Sequence, residues 1–167
     1  MTDPDRQSLG FMPTLVVGLA ILLIVAGVVR YGITVAVLER IWRQMLERPS
    51  GPLSFRFILQ PSVAAIVAIH DGIKDARAGR LPFFHTIIRK PRERVGRLRE
   101  GLIATARIIL LGIAMDVVYQ LLVFKAFYPD EAVIIAFVLA FLPYVLVRGP
   151  VTRIARLWQS DASGGTQ

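Results

Sequence analysis

The sequence contains no cysteine. A disulfide, a thiolate nucleophile and any cysteine-held metal or iron–sulfur centre are therefore excluded. Histidine is almost as scarce, with only His70 and His85. Two are too few for a histidine-rich metal centre, and a bis-histidine haem would use both. No cofactor and no metal is expected. Acidic charge is also sparse, with 12 Asp+Glu against 20 Lys+Arg. The phosphate loop, HExxH, GxSxG and GxGxxG are all missing. Gly18, Gly27 and Gly32 do not form GxxxG, and no repeat of about 20–50 residues is visible.

What is present is hydrophobic residue, 54% of 167 positions, beside a net charge of +8. A soluble chain this basic would suggest nucleic acid. Here the apolar residues form long runs that need lipid or a very large core, and a chain of this length cannot build the latter. Aromatic residues are not interleaved with the basic ones, so no nucleic-acid partner is expected.

The pattern predicts an all-α integral membrane protein with three transmembrane helices plus amphipathic interfacial helices. Residues 1–10 read as a short tail, nearly neutral, without the positive start of a cleaved signal. Residues 11–29 carry no charge. At 1.5 Å per residue they reach about 28 Å, close to the hydrocarbon thickness. Pro13 falls in the first turn of this span, where a missing N–H costs little. Residues 30–101 read as a basic cytoplasmic region with amphipathic or re-entrant helices. Tyr31, Val35, Leu38, Trp42 and Met45 recur at helical spacing, and Pro49-Ser50-Gly51-Pro52 stops that helix. Residues 53–69 are apolar but hold Arg56, Gln60 and Pro61. Together these disfavour a full span, and an interfacial or re-entrant helix from Pro61 through Ala78 is preferred.

Residues 102–147 read as a transmembrane hairpin, 102–124 and 132–147, joined by a short turn around Tyr128-Pro129-Asp130. Pro143 is expected to bend its second arm, and Arg148-Gly149-Pro150 to break it. Residues 148–158 then form an interfacial basic helix, and 159–167 a disordered tail. The three-span arrangement puts seventeen Lys/Arg on one side against Arg6 and Lys125 on the other. The positive-inside rule then places the N-terminus outside and the C-terminus in the cytoplasm. A four-span arrangement divides them thirteen to five, with Arg56 and Arg107 inside spans.

Four intramembrane polar residues stand out: Arg107, Asp116, Tyr119 and Gln120. Asp116 sits near mid-span, where a bare carboxylate is costly. It reads as a helix–helix hydrogen-bonding group, or else as a proton or cation site with Gln120 one turn on. Arg107 is nine residues from Asp116 and half a turn away around the helix, so the two cannot pair. Arg107 is expected to snorkel, bind a lipid phosphate, or meet Asp71, Asp75 or Glu100. His70, Asp71, Lys74 and Asp75 form an interfacial polar cluster with i,i+4 spacing. It describes the wet face of a helix better than an acid–base site, since no nucleophile accompanies it. Arg89, Lys90, Arg92, Arg94, Arg97, Arg99, Arg153 and Arg156 are expected to meet anionic headgroups.

Several phrases carry a resemblance: Phe55-Arg56-Phe57-Ile58-Leu59-Gln60-Pro61, Asp75-Ala76-Arg77-Ala78-Gly79-Arg80, Asp116-Val117-Val118-Tyr119-Gln120, and Pro143-Tyr144 with Arg148-Gly149-Pro150. They resemble small uncharacterised bacterial inner-membrane proteins over roughly residues 53–156. The resemblance implies that location and no catalytic residue. The expected function is that of a non-enzymatic accessory or assembly subunit, whose partners are anionic lipids and other membrane subunits or copies of itself. The alternative is a small oligomeric ion or proton transporter using Asp116, and a lipid enzyme based on His70 and Asp71 comes third.

Overall fold

The computed structural model describes residues 4–47 and 54–164, and every regular element among them is helical. The stop at residues 49–52 lies outside the described residues. Helix α1 (Pro4–Tyr31) holds the charge-free run and ends where Gly32 turns left-handed at φ 71°, a conformation without steric cost only for glycine. It begins at Pro4, so residues 4–10 belong to the helix and Pro13 lies in its interior rather than in its first turn. Helix α2 (Val35–Glu47) is capped by Thr34, whose Oγ1 accepts a 3.3 Å bond from the Val37 amide. Val35, Leu38, Trp42 and Leu46 are exposed on it, as expected of an amphipathic helix.

Helix α3 (Arg56–Arg77) is followed by α4 (Phe83–Arg89), α5 (Pro91–Tyr119) and α6 (Pro129–Gly164). Gln120–Phe124 forms a π-helical turn closing α5, and Lys125 at φ 50° reverses the chain toward α6. Three helices are long and apolar enough to cross a membrane: Phe11–Tyr31, Pro91–Phe124 and Pro129–Gln159.

The first departure from the sequence-based expectation is α3. It begins at Arg56 rather than near Pro61, and one face packs against the bundle, most extensively on α6. Gln60 meets the carbonyls of Ile108 and Ala136, Asp71 meets Tyr144, and Asp75 meets Arg97 and Arg148. Moving from residue 60 to 75 therefore descends α5 and ascends α6, so α3 runs antiparallel to the first and parallel to the second. Ala64 and Ala68 are fully buried with Phe83 and Tyr144. Small residues here let helix backbones approach closely.

Helix α1 completes the bundle through Val16 and Ala20, packed on Ala106, Ile109, Val133 and Ala136. Its far face, including Ile21, Leu22, Val25 and Val29, is exposed. Pro13 and Gly18 lie with Leu98, Leu102 and Phe141, whereas Tyr31 donates to the Phe127 carbonyl at 2.8 Å. The two ends of α1 thus sit at opposite ends of the bundle. Residues 30–101 accordingly reach both ends of the bundle: Tyr31 and Arg40 lie at the Tyr128 end, and Asp75 to Arg97 at the other. The polar residues that argued against α3 crossing the bundle are instead paired within it.

The second departure is α6, which runs unbroken through Pro143 and Pro150 to Gly164. Packing on α3 extends past the proline, with Gly72 seated against Val151 and the Arg148 carbonyl, and tertiary contact overrides propensity. Residues 159–164 are helical rather than part of an irregular tail, and 165–167 lie outside the described residues.

Candidate functional site

Burying a charge is tolerable only where a partner and further hydrogen bonds replace water. Three charged clusters in the bundle meet that demand, each joining helices distant in sequence.

The first surrounds Asp116, which is fully buried. Arg56 Nη2 donates to Asp116 Oδ1, and Gln120 Nε2 donates to Asp116 Oδ2 at 2.6 Å. Gln120 also donates to the Tyr128 carbonyl at 3.1 Å and accepts from the Tyr128 amide at 2.6 Å. The π turn begins at Gln120, so the side chain closes the loop between α5 and α6 while holding Asp116. Tyr119 is buried and meets Phe124 edge-on at 5.3 Å. One turn into α3, Gln60 donates to the Ala136 carbonyl at 3.3 Å. It reaches there only because Gly112 has no side chain; a Cβ at that position would overlap the Gln60 amide. Both oxygens of this carboxylate are thus hydrogen-bonded, one of them to a guanidinium.

The second cluster centres on Asp75, 2% exposed. Its Oδ1 accepts from Arg97 Nη1 at 3.1 Å and its Oδ2 from Arg148 Nε at 2.8 Å. Arg97 also donates to Glu100 and to the Leu81 carbonyl. Arg148 lies 4.6 Å over the Phe83 ring and donates to the Tyr144 hydroxyl, which donates to Asp71 Oδ2 at 2.8 Å. Helices α3, α5 and α6 are tied by this one carboxylate.

The third cluster sits at the opposite end. Arg40 of α2 donates to Glu131 Oε1 at 2.7 Å and stacks 4.1 Å from the Tyr128 ring and 4.9 Å from the Tyr31 ring. It fastens the amphipathic helix over the α5–α6 turn.

The predicted residues are distributed accordingly. Asp116, Gln120 and Tyr119 come together. Arg107 does not join them: it is exposed, and among the described residues it forms no ion pair with Asp71, Asp75 or Glu100. The cluster at residues 70–75 is divided, with Asp71 and Asp75 facing the bundle and His70 and Lys74 exposed. His70 Nδ1 is 4.0 Å from Asp71 Oδ1, beyond hydrogen-bond reach. Arg97 is buried on Asp75, whereas Arg156 reaches the Arg80 carbonyl and stays partly exposed. Arg89, Lys90, Arg92, Arg94, Arg99 and Arg153 remain exposed. Among the described residues no group of His, Asp and Glu is placed to hold a metal ion.

Sequence reasoning missed the partners Arg56, Arg148 and Tyr144. A signal existed for the first, since Arg56 and Asp116 are opposite charges in two apolar segments and each is costly alone. No known family model, curated protein or solved structure matches this chain.

Proposed function

We propose that this chain is a non-enzymatic integral protein of a bacterial inner membrane, an accessory or assembly subunit that binds partner helices and anionic lipid. The observation that carries the reading is how the buried charge is used. Asp116, Asp75 and Glu131 each hold helices together, while among the described residues the outer faces of α1 and α2 are apolar and exposed. Those faces suit lipid and neighbouring helices.

We propose a fourth crossing beside the three helices that are long and apolar enough to span a membrane. Helix α3 crosses with α1, α5 and α6, and both termini lie in the cytoplasm. The four-span division of thirteen basic residues against five supports this, since the richer side holds the α3–α4–α5 connection and the end of α6. The exposed arginines of that end face anionic headgroups, each worth about 1 kcal/mol near such a surface.

Mass in mild detergent, with lipid retained, tests the assembly. The expected result is a mass above one chain plus its micelle, or a co-purifying membrane protein. A strictly monomeric chain with no companion refutes it.

A further inference from the structure

Between α3 and α5 lies a crevice of about 180 Å³, with Arg56 and Arg107 in its lining and Leu59, Val63, Leu111 and Met115 as apolar walls. Two features of its arginines have no structural purpose in the bundle. Arg56 is 2% exposed, and its Nε and Nη1 make no hydrogen bond, although Nη2 is held by Asp116. Buried donors left unpaired are costly and rare. Arg107 is exposed and, among the described residues, without an acidic partner. It lies about 15 Å along α5 from Arg97 and about 14 Å from Asp116, near the middle of the bundle, where an unanswered guanidinium is most expensive in hydrocarbon.

Asp116 offsets Arg56, so the crevice keeps one uncompensated positive charge and a set of free N–H donors beside hydrocarbon. We propose that it binds the oxyanion head of a singly charged lipid, a phosphodiester or a fatty-acid carboxylate, with the chain lying along the apolar walls. The guanidinium of Arg107 supplies the charge-assisted bond, and the spare nitrogens of Arg56 complete the cradle. The volume suits a compact head and its first methylenes. This site is separate from the exposed arginines of residues 89–99, and it rests on the membrane reading but not on assembly with a partner.

The test is native mass spectrometry of the full chain, stripped of lipid and titrated with oleate, phosphatidylglycerol or neutral phosphatidylcholine. One molecule of oleate or phosphatidylglycerol should bind per chain, at least tenfold tighter than phosphatidylcholine, and the better of the two names the source. Arg107→Gln should weaken it at least tenfold. Leu111→Trp, which keeps both arginines but fills the crevice, should do the same. Both positions are exposed, so helicity is expected to survive. Arg92→Gln with Arg94→Gln should leave this tight binding unchanged. No preference over phosphatidylcholine, or undiminished binding in Arg107→Gln, overturns the site. A monomer that still binds lipid would refute the assembly and leave the site standing.

Discussion

Arg56 and Asp116 lie sixty positions apart in the chain and meet fully desolvated. Removing one partner of such a pair strands the other, which costs about 3–5 kcal/mol, whereas replacing both with apolar residues is far milder. Asp116→Asn and Arg56→Gln should each lower stability by about that much, read as unfolding by denaturant in detergent. Arg56→Met combined with Asp116→Leu should recover most of the loss. Additive losses in the double variant would contradict the pair. Asp75→Asn should be at least as damaging, because Arg97 and Arg148 both lose their buried carboxylate and keep only the exposed Glu100, while His70→Ala should stay within about 0.5 kcal/mol. Equal effects of those two would contradict the division of residues 70–75 into an inward and an outward face. The cost of each intramembrane charge was legible in the sequence, since it follows from the apolar run around it. The pairing was not, because it depends on the depth to which α3 enters the bundle, and no local spacing records that.

The three apolar helices were readable because an uninterrupted charge-free run leaves little alternative in lipid. The packing of helix α3 was not readable for the converse reason. Its polar residues are expensive only if unpartnered, and Gln60, Asp71 and Asp75 all have partners on α5 or α6. The same contact carries α6 through Pro150. A glycine marks how tight it is: a Cβ on Gly72 would lie 2.9 Å from Val151 Cγ1 and 3.0 Å from the Arg148 carbonyl oxygen. Gly72→Ala should therefore destabilise by about 1–3 kcal/mol. Gly18→Ala, with nothing within 4 Å of the added carbon, should be neutral or slightly stabilising, since alanine is the better helix former. Thermal unfolding of the two variants side by side checks this, and equal midpoints would argue against the close α3–α6 packing.

For the molecule as a whole, the helix order places α2 and the α5–α6 turn at one end, and α4 with the ends of α3 and α6 at the other. The Arg40–Glu131 bond and the Asp75 cluster lock those two ends independently. Between them, α1 exposes an apolar face, the surface on which the proposed partner helix would dock. The proposed insertion depends on α3 crossing from one end to the other. The chain has no cysteine of its own, so single-cysteine labelling reports each site without background. Glu39→Cys on α2 and Ala78→Cys after α3 are both at exposed positions. In intact cells, a membrane-impermeant maleimide should modify the first and reach the second only after the membrane is opened. Labelling of both from the same side would contradict the crossing of α3.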